Sequence, residues 1–365
     1  MMPPKLSVFL LAVLLSACAT PPPAPAPKAS GPLVFPGAPD ETRLFFERTI
    51  YGSADVVAES ADGGFRRLVT GEQRTGEGLA KPYAIAVWQG RMFVSDSADR
   101  YVRVFDVAAG KHYRIGEDDP GRLQKPLGLD VDASGTLYVA DATLKVIMVY
   151  DKMGTFKMKI GGPTWFDRLS SVTVDRGGVR IYVTDIGGVS SENHRVRVFD
   201  AKSGQHLHDI GKRGAGPGEL NLPRDVAIGK DGLIYVVDGG NFRVQVYQPD
   251  GTFVRMFGSL GKQFGQFARP KEIAADRAGN LYVVDAAFGN FQIFSPEGNL
   301  LMFVGSRSER DGPAKYMLPS GIYVDEDDRV YLVDQWFRKV DVYRPPTVAA
   351  GQGWLSRQIP AGKSP

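Results

Sequence analysis

Six aspartates each end a short apolar run rich in β-branched residues, and they are the first candidates for chemistry in this sequence. Successive members are 44 to 53 residues apart, and the six are Asp96, Asp141, Asp185, Asp238, Asp285 and Asp334. A carboxylate in the turn after a strand accepts hydrogen bonds from free backbone N–H groups. Because the six positions are equivalent, a ring of repeats would keep the carboxylates far apart. We therefore predict that they cap turns and do not form a catalytic cluster.

Two other carboxylates stand where the repeat is broken, and they are better candidates for a site. Two residues after the proline that opens the first run of each unit, or its equivalent, the chain has Ala84, Gly128, Ser171, Asp225, Glu272 and Gly321. In units four and five the carboxylate follows a base, giving Arg224-Asp225 and Lys271-Glu272. The four charged residues could bind a cation, anchor a peptide or form an internal salt-bridge cluster.

Calcium is the cation that oxygen ligands of this kind would suit. It takes roughly six to eight oxygen ligands, and only Asp225 and Glu272 are well placed to supply them. We therefore predict no metal and no cofactor, with calcium held by Asp225 and Glu272 as the weaker alternative.

The runs that must position these residues recur with a period of about 40–50 residues, which is typical of a β-propeller. Unit four shows four alternating runs separated by turn residues such as Asp231-Gly232 and Pro249-Asp250-Gly251. Its predicted strands are 222–228, 233–237, 243–247 and 252–257. Four strands in each of six units predict an all-β fold, a six-bladed propeller with four-stranded blades. The opening runs would form the inner strands around a central channel.

Closure of the ring requires a strand from the start of the chain. The sixth unit stops after three runs, because Tyr343 is followed by Arg344-Pro345-Pro346 and a proline pair cannot continue a ladder. We predict that residues 65–70 pair with Val340–Tyr343 as the missing fourth strand.

The recurrence resembles the NHL-repeat family over about residues 79–344. The matching phrases are Pro-x-x-apolar-x-apolar-Asp, Gly-x-apolar-Tyr-Val-x-Asp and Arg-Val-x-apolar-Phe, and unit four fits them best. Unit three departs most, with Leu169-Ser170 in place of the opening proline and a long turn over 186–194. The whole chain is similar to bacterial propeller lipoproteins of the NHL type, which implies an NHL-type six-bladed propeller.

Two kinds of enzyme share the architecture that this resemblance implies. Amidating lyases hold zinc in the channel through histidines, but His112, His194, His206 and His208 all lie outside the predicted inner strands. Lactonases hold calcium through Asp, Glu and Asn; this chain offers Asp225 and Glu272 without an Asn partner or a histidine base. A metal-dependent hydrolase or lyase at the channel mouth stays open as the alternative function.

The N-terminus predicts export. Lys5 precedes an apolar stretch over 6–15 that is too short to span a bilayer but suits a secretory signal. Leu15-Ser-Ala-Cys18 resembles the bacterial lipobox, whose cysteine is acylated, and Cys18 is the only cysteine. The alternative is an ordinary signal with an incidental cysteine. We expect a lipid-anchored protein of the bacterial cell envelope, on the periplasmic side of the outer membrane.

The domain boundaries follow from these signals. We predict a signal peptide over 1–17, a Pro-rich linker over 18–40, the propeller over 41–346 and a tail over 347–365. The net charge of +3 is too balanced to favour nucleic-acid binding. We expect a monomer that contacts the membrane through its lipid anchor only.

The predicted function is non-enzymatic binding of an envelope protein, peptide or glycan. Second-to-third-strand turns and crossovers should emerge on one face, and arginine with aromatic residues is typical of interfaces. The candidate residues on that face are Arg100, Tyr101, Lys145, Arg195, Phe242, Arg243, Phe288, Trp336, Phe337 and Arg338.

The anchor can be tested directly. Replacing Cys18 by Ser should release the protein from membranes or stall its processing, because the acylated thiol is lost. Membrane fractionation with mass spectrometry of the N-terminus measures this. A wild-type protein that is already free of membranes and lipid would show that the lipobox interpretation is wrong.

Overall fold

The computed structural model describes residues 31–58, 76–188 and 190–356. Predictions for Cys18, for the signal peptide and for residues 65–70 lie outside the described residues. Among those that are described, no helix is long and apolar enough to cross a membrane.

Six antiparallel sheets form the blades of the body that begins at Val34. Two strands precede the first complete blade: β1 (Val34–Phe35) and β2 (Leu44–Ile50), followed by a short 3₁₀ helix (Ser53–Asp55). Blade one contains β3 (Pro82–Trp88), β4 (Arg91–Asp96), β5 (Tyr101–Asp106) and β6 (Lys111–Ile115). Blade two contains β7 (Pro126–Val131), β8 (Leu137–Asp141), β9 (Val146–Tyr150) and β10 (Phe156–Gly161). Blade three contains β11 (Leu169–Val174), β12 (Arg180–Asp185), β13 (Arg195–Asp200) and β14 (His206–Ile210).

The second half of the ring repeats the plan. After the short strands β15 (Lys212–Arg213) and β16 (Glu219–Leu220), blade four contains β17 (Pro223–Ile228), β18 (Ile234–Asp238), β19 (Arg243–Tyr247) and β20 (Phe253–Phe257). Blade five contains β21 (Pro270–Ala275), β22 (Leu281–Asp285), β23 (Asn290–Phe294) and β24 (Leu300–Val304). After β25 (Ser306–Arg307) and β26 (Lys315–Tyr316), blade six contains β27 (Pro319–Val324), β28 (Val330–Asp334) and β29 (Lys339–Arg344). A 3₁₀ turn over Trp354–Ser356 follows.

Each blade is held to its neighbours by apolar side chains. The second strands are buried along nearly their whole length, as in β18 and β22, because blades cover both of their faces. Six buried clusters result, one between each pair of adjacent blades. The predicted six-bladed propeller is therefore confirmed.

The six aspartates at the ends of the second strands are fully buried and cap backbone groups, as predicted. In blades one, two, five and six the carboxylate accepts four N–H bonds of 2.6–3.2 Å. Two donors lie on the crossover that enters the blade, and two lie in the turn that follows the aspartate. Each carboxylate thus ties a crossover to a second-to-third-strand turn, and these elements form one face, which we call the crossover face.

Ring closure uses a different strand from the one that the sequence predicted. Leu44–Ile50, and not residues 65–70, pairs antiparallel with Lys339–Arg344 as the fourth strand of blade six. Thr49 Oγ1 donates to Asp341 at 2.6 Å, and Glu47 pairs with the buried Arg329 at 2.7 Å. The sequence of Leu44–Ile50 does not alternate, and its polar partners Asp341 and Arg329 lie almost 300 residues away in the chain.

The propeller also extends beyond the predicted boundaries. Val34–Phe35, inside the predicted 18–40 linker, adds a fifth strand to blade six. Leu355, inside the predicted 347–365 tail, is 2% exposed and packs in the cluster between blades six and one.

A core variant tests the closure. Ile50 is fully buried between blades six and one, so Ile50→Ala should lower the free energy of unfolding by about 2–4 kcal/mol. Leu207→Ala, on the outer strand of blade three at 43% exposure, is the matched control and should cost under about 1 kcal/mol. Urea denaturation measures both. Equal effects would contradict the assigned closing strand.

Candidate functional site

Cations surround the mouth of the channel on the crossover face. Twelve residues flank the first positions of the six inner strands; six of them are Lys or Arg, and none is acidic. The six cations are Lys81, Lys125, Arg168, Arg224, Arg269 and Lys271. We call this set the basic ring. Within the described part of the chain, none of the six side chains has an ion-pair partner.

Two members of the basic ring are half-buried, and the charge around them is uncompensated. Burial, and then the positive charges of Arg269 and Arg224, lower the pKa of Lys271 to about 8, although Glu272 opposes this. Burial also lowers the pKa of Arg224, with Arg168 and Arg269 adding to the effect. Partly buried cations that repel one another and have no counter-ion raise the free energy of the unbound folded protein.

Asp225 and Glu272 lie beside these cations but bond to inner strands instead. Asp225 accepts a hydrogen bond from Ser171 Oγ at 2.6 Å and another from the Ile273 N–H at 3.0 Å. Glu272 accepts the Ile322 N–H at 3.3 Å. Both carboxylates therefore satisfy backbone or hydroxyl groups of neighbouring blades, and neither forms an ion pair among the described residues, so the salt-bridge alternative gains no support.

Burial dominates the protonation of both carboxylates. It raises the pKa of Asp225 to about 6, and it raises the pKa of Glu272 well above its usual range, with the charge of Asp225 contributing. The Oε1 atom of Glu272 is buried without a hydrogen-bond partner in the described structure.

A third channel carboxylate, Asp130, was not among the sequence candidates. Asp130 lines the central cavity of about 470 Å³ together with Asp225, Glu272 and Asp276. It accepts the N–H groups of Val131 at 2.8 Å and Val174 at 2.9 Å, and burial raises its pKa to about 7. Comparison of the fifth inner-strand positions would have found it. The others hold Ala86, Thr173, Ala227, Ala274 and Tyr323.

The donor set does not make a calcium site. Among the described residues, no three Asp, Glu, His or Cys side chains gather closely enough to hold a metal ion. Asp225 and Glu272 contribute four carboxylate oxygens near the mouth. Three of them already accept hydrogen bonds from the protein, and only Glu272 Oε1 has no partner among the described residues. The weaker calcium alternative thus gains no support.

The predicted binding-face residues fall into two groups. Arg100, Trp336 and Arg338 are exposed, with Trp336 at 61%. Half-buried members are Tyr101, Lys145, Arg195, Phe242, Phe288 and Phe337. Several half-buried members are engaged within the fold; Arg195, for example, pairs with Asp209 at 3.1 Å.

Arg243 does not belong to the exposed surface, so its prediction as a binding residue is wrong. It is 8% exposed, and its Nε donates to the buried Asp238 at 2.8 Å. Its Nη2 donates to the carbonyl groups of Gly216 and Glu219 at 2.8 and 3.0 Å. Arg243 therefore fixes the crossover that enters blade four.

The histidines lie where the sequence placed them, away from the inner strands. His112, His206 and His208 are on outer strands. His194 lies just before β13, buried between the Gly188 carbonyl and the Leu222 N–H.

Comparison with known proteins identifies an NHL repeat at residues 220–247, which form most of blade four. RING finger protein nhl-1 of Caenorhabditis elegans is 46% identical over 52 residues, 14% of this chain and 5% of that protein. Protein brain tumor of Drosophila melanogaster is 28% identical over 153 residues, 40% of this chain and 14% of that protein. The chain thus spans only a small part of these relatives.

Solved structures with the same fold include proteins of different kinds. A protein of unknown function from Bacteroides thetaiotaomicron has a TM-score of 0.61 and 18% identity, over 83% of this chain and 76% of that one. A gluconolactonase from Xanthomonas campestris has a TM-score of 0.56 and 17% identity, and the match covers 73% of this chain and 87% of that one. A virginiamycin B lyase from Staphylococcus aureus has a TM-score of 0.53 and 13% identity, and the match covers 73% of this chain and 95% of that one. At these identities the likeness shows the fold alone.

The pKa of Asp130 predicts a pH dependence of stability. Its value of about 7 lies above the ordinary value of about 3.9, so between these pH values the folded protein keeps a proton that the unfolded chain releases. This contribution to stability is full below about pH 4 and is lost as pH rises towards 7. Wild type should therefore lose stability relative to Asp130→Asn over pH 4.5–7 in urea unfolding at constant ionic strength.

The control is Asp250→Asn. Asp250 is exposed to solvent, and hydrogen bonds from Thr252 lower its pKa, so its titration lies below this window. The difference in the free energy of unfolding between wild type and Asp250→Asn should stay constant from pH 4.5 to 7. If the difference in the free energy of unfolding between wild type and Asp130→Asn is also constant over this range, Asp130 does not have the raised pKa assigned to it.

Proposed function

We propose that this protein is a non-enzymatic binding propeller that holds an envelope protein, peptide or glycan on its crossover face. The observation that carries the proposal is the basic ring, six cations without ion-pair partners among the described residues around one channel mouth. Soluble proteins normally pair or fully solvate such charges. A ring that leaves half-buried cations uncompensated is suited to a partner that supplies the opposite charge.

Turn conformations on the same face support the proposal. The fourth residue after the buried aspartate has a positive φ in five blades: +64° at Arg100, +56° at Lys145, Phe242 and Arg338, and +65° at Gly289. Glycine adopts this conformation without strain, whereas other residues lose roughly 1 kcal/mol or more. Three cations and one phenylalanine occupy positions that glycine would fill at lower energy, which favours a role for their side chains.

An exposed aromatic residue completes the surface. Trp336 is 61% exposed and directly precedes the half-buried Phe337, next to Arg338. Tryptophan and arginine dominate the energies of many protein interfaces. The segment 336–338 is therefore the best candidate for an anchor point at the rim of the basic ring.

The enzymatic alternative has less support. The lactonase and lyase structures named above share the fold at 13–17% identity, which carries no activity to this chain. The channel carboxylates Asp130, Asp225 and Glu272 accept backbone N–H groups of inner strands. These bonds assign them a part in ring assembly.

The proposed location follows from the sequence. Cys18 would carry the lipid, and the proline-rich segment after it would act as a semi-rigid spacer. We place the protein in the bacterial cell envelope, on the periplasmic side of the outer membrane.

Photo-crosslinking in producing cells tests the partner face. A photoreactive phenylalanine analogue at position 336 or 338 of the full-length chain should form discrete adducts, because these positions would lie at the interface. The same analogue at Val179 or Lys202, exposed in turns of the opposite face, is the control. Adducts that form equally at both faces, or only at the opposite face, would overturn the proposal.

A matched pair of double variants measures how much Trp336 and Arg338 contribute to the free energy of partner binding. Trp336→Ala with Arg338→Gln should weaken non-covalent binding of the partner that crosslinking identifies by about 2 kcal/mol or more, because anchors of these types dominate binding. Val179→Ala with Lys202→Gln removes one apolar side chain and one charge from the opposite face and should have little effect. Thermal unfolding confirms that all variants fold.

A further inference from the structure

We infer that the channel mouth is an oxyanion-binding site in which Arg168, Arg224, Arg269 and Lys271 hold a carboxylate or phosphate group of the ligand. The inference rests on the proposed function and deepens it, because it specifies the chemical group that the partner must present at the centre of the crossover face.

The four cations converge from three consecutive blades. Arg168 precedes the inner strand of blade three, Arg224 is the second residue of the inner strand of blade four, and Arg269 and Lys271 flank Pro270 in blade five. Burial lowers the pKa of Lys271, and the positive charges of Arg269 and Arg224 lower it further. The pKa of Arg224 responds in turn to Arg168 and Arg269. Hydrogen bonds from Ser171 of blade three and Ile273 of blade five to Asp225 of blade four hold the starts of the three inner strands side by side, and this brings the four cations close together.

The nearby carboxyl groups do not neutralise this charge. Asp225 is bound by Ser171 and Ile273, and no ion pair joins it to any of the four cations in the described structure. Burial holds Glu272 towards its neutral form. The remaining polar neighbour is Tyr83, whose pKa is raised by burial and which stays a neutral phenol. The site has several hydrogen-bond donors and an excess of positive charge, and no carboxylate of the described residues forms an ion pair with the four cations.

The residue types suit an oxyanion better than a diffuse negative surface. Arginine presents a planar fork that bonds two oxygens of a carboxylate or phosphate at once, and lysine adds a point charge. Arg224 and Lys271 are half-buried at the mouth, so water competes less with a bound group there. The peripheral Arg100 and Arg338 lie on turns and would contact other parts of the same partner.

The experiment uses the full-length protein in detergent and two probes of defined chemistry. Pyrophosphate and tricarballylate are titrated by calorimetry at constant ionic strength, with chloride as the background anion. Both carry the shared oxyanion chemistry, and the tighter of the two indicates whether phosphate or carboxylate is the natural group. Saturable binding of either supports the inference, and failure of both to bind below about 10 mM overturns it.

Matched variants locate the site. Arg224→Gln with Lys271→Gln should weaken the bound probe about tenfold or more, because hydrogen bonds to charged groups are lost. Lys111→Gln with Lys202→Gln removes the same net charge from exposed positions at the opposite face and should change the affinity less than about twofold. Equal weakening in the two double variants would show a general charge effect and overturn the site. Arg269→Gln, at an exposed position, repeats the test without disturbing the half-buried pair.

The pH profile adds an independent readout. The charged groups that act on Lys271 are Arg269, Arg224 and Glu272, and the pKa of Lys271, lowered to about 8 by burial and then by the two arginines, places its titration between pH 7 and 9. Wild-type affinity for tricarballylate, which does not titrate there, should fall as pH rises from 7 to 9, and Lys271→Gln should make this fall smaller. A flat wild-type profile would remove Lys271 from the site. Crosslinking at Trp336 does not depend on these titrations, so it can succeed even where the oxyanion site fails.

Discussion

The buried aspartate at the end of each second strand is the interaction on which the crossover face depends. In blades one, two, five and six it accepts four N–H bonds, two from the incoming crossover and two from the following turn. A buried carboxylate without those bonds would be strongly unfavourable. The bonds therefore fix where each inner strand starts, and with it the position of every cation in the basic ring.

The inner ring is assembled by a second set of bonds, and these differ from blade to blade. Ser95 Oγ donates to the Leu127 carbonyl, Asp130 accepts the Val174 N–H, and Ser320 Oγ donates to the Tyr83 carbonyl. Asp225 and Glu272 accept N–H groups from blades five and six. In blade three, Ser170 and Thr173 donate to the Arg224 and Val226 carbonyl groups. Each blade thus satisfies at least one polar group on the inner edge of the next. Because these acidic residues serve the ring, the cations beside them are left without partners.

The candidate site was only partly predictable from residue types. Arg224, Asp225, Lys271 and Glu272 stood out because they break the repeat, and the structure does bring them together. Which charges pair was not predictable, since Asp225 bonds to Ser171 of the preceding blade, 54 residues away in the chain. Arg243 was predicted to lie on the surface, but it is buried and donates hydrogen bonds to Asp238 and to two carbonyl groups. Asp130 stands at the fifth position of its inner strand, whereas Asp225 and Glu272 stand at the third, so a comparison of the third positions alone does not find it.

The sequence alone determined the number of blades, the order of strands and the capping role of the aspartates, because all three follow from local patterns that recur with a fixed period. Tertiary structure decided the closing strand, the pairing of buried charges and the exposure of the binding-face residues. Leu44–Ile50 has no alternating pattern that marks it as a strand, and its contacts with Asp341 and Arg329, almost 300 residues away, identify it as the strand that closes the ring. Such choices depend on side chains that are distant in the sequence, so no local pattern contains them.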